Sequence, residues 1–253
     1  MFAEERHRKI VDLLHADGTV KVKQLSGMFD VSEDCIRKDL AYLERMQLVK
    51  RIYGGAVLPR EINLDPALVK RKIEDDGGKR IIAEKALSLI QPGDTVFLDI
   101  STINAILAKL LLQSGKRVTV VTNMIEIIQI FATQTNVTLI ATGGTFNQFC
   151  DGFIGSICID AISQYRFDLG FLGVVGVDPC QNSTYSYEPE EGLTKRAIVK
   201  ASRKAYLLLE DKKFSRDGNY QVLPLNRFAG VITEKPPEPK ILEALEQYNI
   251  EIL

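Results

Sequence analysis

Residues 31–57, VSEDCIRKDLAYLERMQLVKRIYGGAV, decide how the first part of this chain folds. Ser32 stands where a helix would begin, so its hydroxyl can accept from free first-turn amides, and Glu33 and Asp34 follow at the positive end of the helix dipole. Ile36, Leu40 and Leu43 recur at i, i+4 and i+7, which makes one apolar face. The spacing predicts a helix over Ser32–Met46 that turns Arg37 and Lys38 outward. From Leu48 to Val57 two β-like runs surround Gly54-Gly55, the pattern of a hairpin or a sharply bent strand.

Upstream, Ile10, Val11, Leu13 and Leu14 sit at helical spacing and Gly18 follows as a stop, predicting a helix over Ala3–Asp17. After a β-prone stretch at Thr19–Val22, Leu25, Met28 and Phe29 share a face of a second, short helix, and Asp30-Val31 makes a tight turn. Two helices joined by such a turn, the second capped by a small residue and displaying basic side chains, fit the major groove of DNA. The net charge of −1 hides a local bias, because residues 1–60 hold 11 Lys/Arg against 9 Asp/Glu. Arg45, Lys50, Arg51 and Arg60 follow one another with no intervening acid, a candidate phosphate contact. By spacing alone the same residues also fit an ordinary helical subdomain with a solvated basic edge.

The run from Val31 to Val57 resembles the N-terminal signature of DeoR-type bacterial regulators, in which Ser, a basic pair, an acid-Leu and a terminal GGA come in this order. Cys35 stands where that family has Thr, and Met46-Gln47 replace a pair ending in Gly. The resemblance implies a winged helix-turn-helix over residues 1–58. It places Ser32, Cys35, Arg37 and Lys38 at the groove of double-stranded operator DNA, and Lys50, Arg51 and Tyr53 on the backbone from the wing.

Residues 59–78 carry two prolines, many charges and a closing Gly-Gly, and read as a connector. From Lys79 to Leu253 short apolar runs (Thr95–Leu98, Val118–Val121, Val137–Ile140, Leu169–Val175, Tyr206–Leu209) alternate with amphipathic stretches. This predicts an α/β domain with a mostly parallel sheet covered on both faces. In such sheets ligands lie beyond the carboxyl ends of the strands. The residues there are small and polar: Asp99, Ser101 and Thr102, then Thr122 and Asn123, then Gly143 and Gly144, then Gly176 and Asp178. Glu190 and Lys195 on the next helix, and Lys213 after the last long strand, put charge on the same rim. Ser101 and Thr102 open a helix, where an anion is stabilised.

The segments FLDIST, VVTN, ATGG, FDLGFLGVVGVD and LLLEDKKF resemble, in order and spacing, the effector domain of DeoR-type regulators, itself similar to ribose-5-phosphate isomerase. The resemblance implies a phosphorylated sugar or similar metabolite as effector. In the phosphate loop, Ile100, Ser101, Thr102 and Ile103 follow Asp99 where the family has a small residue, Gly and two hydroxyl residues. Glu210 likewise stands where Asp is usual. Three readings follow: an effector-controlled repressor of a carbohydrate operon, a regulator whose larger domain serves only assembly, and a sugar-phosphate isomerase with Glu190 or Asp178 as base and Lys195 or Lys213 as partner. The attached DNA-binding module argues against the isomerase.

At 253 residues, 45% hydrophobic and 26% charged, the chain has a globular composition that suits a medium domain plus a small one. No apolar run approaches the roughly twenty residues of a membrane span, and the charged start is unlike a signal peptide. A cytoplasmic protein is expected. Four cysteines without CxxC spacing and two distant histidines predict reduced, mostly buried thiols and neither metal nor cofactor. A palindromic operator would call for a homodimer or homotetramer.

Overall fold

The computed structural model describes residues 3–17, 19–45, 49–52, 54–57, 76–132 and 136–253. The chain divides into two compact units, 1–65 and 66–253.

The first unit contains α1 (Ala3–Asp17), β1 (Thr19–Lys21), α2 (Val22–Phe29), α3 (Glu33–Arg45), β2 (Lys50–Ile52) and β3 (Gly55–Val57). Ile10 and Leu14 of α1, Leu25 of α2, and Ile36, Leu40 and Leu43 of α3 form its core with Val20, Val22, Val49 and Ala56. Between α2 and α3, Asp30 takes a left-handed conformation (φ 52°), and the Ser26 hydroxyl donates to the Val31 carbonyl at 2.6 Å. At the start of α3 the Cys35 amide donates to the Ser32 hydroxyl at 3.2 Å. The wing is a three-stranded antiparallel sheet, ordered β1–β3–β2. Gly54 supplies the positive φ (78°) of its turn, and a side chain at Gly55 would collide with the Val20 carbonyl.

Among the described residues of this unit, one charged pair is buried. Arg6 Nε donates to Asp39 Oδ2 at 2.6 Å and Arg6 Nη2 to Oδ1 at 3.0 Å, while His7 Nε2 lies 2.9 Å from Oδ1. Both partners are buried, and His7 stacks on Tyr42 of α3 with ring centroids 4.8 Å apart. Burial alone would push the Asp39 carboxyl up, but hydrogen bonds from Arg6 and His7 and the Arg6 charge outweigh it and hold the group below the ordinary carboxylate range.

The second unit begins with α4 (Asp76–Leu89), so Asp76–Gly78, expected as the end of the connector, form the first turn of a helix instead. The rest of the expected connector, 59–75, lies outside the described residues. There follow β4 (Thr95–Leu98), α5 (Thr102–Ser114), β5 (Thr119–Thr122), α6 (Ile125–Phe131) and β6 (Thr138–Ala141). A hairpin of β7 (Thr145–Asn147) and β8 (Gly152–Ile154) leads to α7 (Ser156–Ser163) and β9 (Phe167–Leu172). After β10 (Gly176–Asp178) and β11 (Ser183–Ser186) come α8 (Pro189–Ala201) and β12 (Ser202–Leu208). The end of the chain holds a 3-10 turn (Asp211–Ser215), β13 (Tyr220–Gln221), β14 (Gly230–Ile232), α9 (Pro239–Glu246) and β15 (Glu251–Ile252).

Seven strands form one sheet in the order β15–β14–β12–β9–β4–β5–β6, every neighbouring pair parallel. Alternate residues feed opposite faces: Leu98, Val120 and Phe171 join one core cluster, whereas Phe97, Val121 and Leu172 join the other. Burial on both faces explains why these strands read as continuous apolar runs. β10, β11 and β13 make a separate small antiparallel sheet. Among the described residues no helix is long and apolar enough to cross a membrane. Of the cysteines only Cys158 is buried; Cys35 and Cys150 are half-buried and Cys180 is exposed, so the expected burial holds for one thiol.

Asp39→Asn would take the buried carboxylate from Arg6 and His7, and breaking such a pair should cost about 3–5 kcal/mol. Amide exchange of α1 and α3 in the intact protein should register that loss. Because the native pKa of Asp39 lies below its ordinary value of about 3.9, its contribution is present above that pH and disappears as pH falls through the lowered value. Wild-type protection of α1 and α3 should therefore collapse in that acid range, and Asp39→Asn should flatten the dependence; equal protection in both proteins at neutral pH would contradict this role.

Candidate functional site

Arg37 and Lys38 are exposed on α3, as the apolar spacing requires, but Arg37 is not free. Its Nη2 donates to Glu33 Oε2 at 2.7 Å and its Nη1 to Asp34 Oδ1 at 2.6 Å. On the wing, the Arg51 amide and Nε donate to the two oxygens of Glu44 at 2.9 and 2.7 Å, and these bonds hold the Glu44 carboxyl below its usual range. Ser32 caps α3, and Cys35 is half-buried with Arg6 Nη2 3.4 Å from its sulfur. Tyr53 and the side chain of Lys50 lie outside the described residues. Two basic side chains expected to meet DNA thus carry carboxylate partners of their own.

In the larger unit the strand order runs outward from β4 through β5 and β6 on one side, and from β9 through β12 on the other. A crevice opens at such a reversal, outside the carboxyl ends of the two central strands. Asp99 follows β4 and Gly173 follows β9. The Gly173 amide donates to Asp99 Oδ2 at 3.3 Å, and a Cβ on Gly173 would come within 2.6 Å of the Ser101 Cβ. Lys195 of α8 reaches the same Asp99 oxygen at 2.5 Å and Glu191 at 3.2 Å. Asp99 and Lys195 are each 1% exposed. Burial would strip the ammonium of its proton, but two carboxylates face one amine and hold it above the ordinary lysine range. Burial raises the Asp99 carboxyl, and Lys195 opposes that rise.

Above this floor Ser101 caps α5, its hydroxyl accepting from the Asn104 amide at 3.0 Å, and both Ser101 and Thr102 are partly exposed. Thr122 ties β5 to β4 by donating to the Leu98 carbonyl at 2.7 Å. Asn123 donates to the Phe153 carbonyl at 3.1 Å and so holds the β7–β8 hairpin. The hairpin is also fixed to α8 through Asn147 Nδ2 and Glu188 Oε2, 2.7 Å apart. Burial and the surrounding carboxylates, Glu191 foremost, push the Cys150 thiol up to about 12, which makes it a poor nucleophile. The side-chain oxygens of Asn104 and Asn123 are buried without a hydrogen-bond partner.

Asp99, Ser101, Thr102, Thr122, Asn123 and Lys195 are thereby brought together. Gly143 and Gly144 follow β6 with positive φ (65° and 124°), and Gly144 packs tightly against Cys158. Other expected rim residues go elsewhere. Gly176 packs against the Arg216 backbone, and Lys213 donates to the Val174 carbonyl at 2.7 Å. Asp178 accepts from the Gln181 amide at 3.0 Å and lines a different cavity, about 470 Å³, with Phe214, Arg216, Asp217 and Lys240. Glu190 is exposed in the first turn of α8. Gly173, Glu188 and Glu191 lie in runs that the sequence already puts on this rim, without a role of their own there, although the i,i+4 spacing of Glu191 and Lys195 was open to view; Asn104 had no such signal.

A winged helix-turn-helix carried on one chain with a parallel sheet, whose central crevice is lined by small polar residues, is the build of a DNA-binding transcription regulator. Residues 6–61 match the DeoR-like helix-turn-helix domain and residues 74–235 the DeoR C terminal sensor domain, and the chain belongs to the DeoR family. It is 31% identical to the glycerol-3-phosphate regulon repressor of Escherichia coli (strain K12), over 98% of this chain and 97% of that one. It is 30% identical to the lactose phosphotransferase system repressor of Lactococcus lactis subsp. lactis, over 98% of each. A chain of the tetrameric eIF2B-beta2-delta2 complex from C. thermophilum shares the fold, with a TM-score of 0.50 at 12% identity, over 97% of this chain and 88% of that one. Ribose 5-phosphate isomerase A from Methanocaldococcus jannaschii aligns over 53% of this chain and 52% of that one, with a TM-score of 0.40 at 14% identity.

Lys195→Met would leave the buried Asp99 without its cation and should cost about 3–5 kcal/mol of stability, read from urea unfolding. A midpoint equal to that of the wild type would mean that the pair does not hold the crevice together.

Proposed function

We propose that this protein is a cytoplasmic repressor of a carbohydrate-metabolism operon. On this reading it binds a palindromic operator as a homodimer or homotetramer, and a phosphorylated sugar in the β4/β9 crevice controls it. The observation that carries the effector is the α5 N-terminus at the strand-order reversal. The first amides of a helix have no partner within the helix, and here they stand beside the partly exposed hydroxyls of Ser101 and Thr102. Asp99 and Lys195, locked to each other, serve as the rigid floor, while Thr122, Asn123, Gly143 and Gly144 complete the wall. The names of the relatives, repressors of glycerol-3-phosphate and lactose systems, support the same class of effector.

The DNA contacts fall to α3 and the wing. Ser32 caps α3, Cys35 sits in its first turn, and Arg37 and Lys38 are on its exposed face; Lys50 and Arg51 belong to the wing, and Tyr53 is assigned with them from the sequence. Chemistry on the sugar is not part of this reading. The carboxylates that a proton-transfer mechanism would enlist do not converge: Asp178 faces another cavity and Glu190 points to solvent.

Calorimetry against a panel of sugar phosphates should give heat with at least one, and Thr102→Ala should weaken it about tenfold by removing a hydrogen bond to a charged group. Silence across the panel would leave the larger unit with assembly alone. On the DNA side, Arg37→Ala should lower operator affinity and relax base preference, and Arg51→Ala should weaken all duplexes and flatten the salt dependence. Unchanged binding in both variants would overturn the assignment of α3 and the wing.

A further inference from the structure

Of the three basic side chains described on the proposed DNA-facing surface of α3 and the wing, Arg37, Lys38 and Arg51, the two arginines are held by carboxylates: Arg37 by Glu33 and Asp34, Arg51 by Glu44. Both terminal nitrogens of Arg37 are taken, one by each acid of the preceding turn, and Arg51 is gripped by Glu44 through its main-chain amide and its side chain. Lys38 is exposed. Resting on the reading of α3 and the wing as the DNA-binding surface, we propose that Glu33, Asp34 and Glu44 restrain binding to unrelated sequence by occupying Arg37 and Arg51, and that Glu33 and Asp34 are also specificity-determining residues, because a matched base lets Arg37 exchange them.

The physical argument turns on what each kind of DNA offers in exchange. Binding to unrelated sequence comes almost wholly from phosphate neutralisation with release of counterions, about 0.9 in the salt slope for each phosphate met. An arginine that already holds a carboxylate has its counter-charge supplied by the protein. A phosphate that claims it must also leave that carboxylate facing the anionic backbone. A matched guanine presents O6 and N7 as two acceptors for a forked guanidinium, so Arg37 recovers there both hydrogen bonds that it gave up. All five charged side chains of the Arg37 and Arg51 clusters are accessible: Arg37 is 56% exposed, Glu33 44%, Asp34 80%, Arg51 48% and Glu44 38%. Exposed pairs of this kind are weak and can be displaced. Glu33 and Asp34 also favour the helix dipole, but Glu44 lies in the last turn of α3, where an acid opposes it. Helix stability therefore does not account for Glu44.

The test uses the full chain, wild type and the variants Glu44→Gln and Glu33→Gln/Asp34→Asn, with fluorescence anisotropy on a random-sequence duplex and on the operator that the wild type selects. Between about 50 and 200 mM salt, freeing one cation should steepen the slope by about 0.9. At the lower salt, affinity for the random duplex should rise about threefold for each cation freed, roughly the change that one added phosphate contact makes across that range. For Glu33→Gln/Asp34→Asn operator affinity should rise less, so the ratio of operator to random binding falls; for Glu44→Gln, whose arginine meets phosphate on either duplex, both should rise together. A random-duplex affinity and slope equal to those of the wild type in both variants, or a ratio unchanged in Glu33→Gln/Asp34→Asn, overturns the proposal. Arg37→Ala and Arg51→Ala run beside them separate the two possible failures. If the arginine variants weaken DNA binding while the carboxylate variants change nothing, this inference alone falls. If the arginine variants also change nothing, the reading of α3 and the wing falls with it.

Discussion

The parallel strands reverse their order between β4 and β9, and most of the larger unit follows from that constraint. All seven strands point their carboxyl ends to one rim, so the loops after β4 and β9 must part there and leave backbone groups without a sheet partner. Asp99 and Lys195 close the floor of the gap. Burying a charge pair is costly unless its remaining hydrogen bonds are satisfied. Here the Gly173 amide and Glu191 satisfy them, and the two strands, the start of α5 and the helix α8 become fixed to one another. The β7–β8 hairpin completes the wall through Asn147 and Glu188, and the hydroxyls of Ser101 and Thr102 are left at the surface.

The smaller unit uses ion pairs in two ways that burial separates. Arg6 and Asp39 are out of water and hold α1 to α3. Glu33, Asp34 and Glu44 meet their arginines in water, where a pair contributes little to stability and is readily exchanged. Buried pairs therefore build the frame in both units, whereas the exposed pairs occupy the arginines that the proposed function gives to DNA.

Much of this was legible in the sequence. Apolar runs such as Thr95–Leu98 could be read as strands because both faces of a parallel sheet are buried, and Ile36, Leu40 and Leu43 could be read as a helix face. The small polar residues after each strand could be picked out because the strands share one rim. Elements of three residues with mixed polarity, such as β7 and β8, carry no period to detect, and β11 pairs Tyr185 with Gln221 across a long stretch of chain. Asp178 and Glu190 were expected at the crevice because they follow a strand or open a helix. Position along the chain does not reveal that β10 belongs to a separate sheet. Arg6 and Asp39 did leave a trace, since each interrupts an otherwise apolar helix stripe.

A regulator built this way must couple its two units, and coupling is reciprocal for binding free energies. The most direct measurement is the affinity of the full-length protein for a sugar phosphate, taken with and without saturating operator, beside the affinity for operator with and without the same sugar phosphate. The account predicts that both affinities change by the same factor, about fivefold or more, and that Thr102→Ala removes that factor at working effector concentrations. A sugar phosphate that binds at Thr102 yet leaves operator affinity untouched would contradict it.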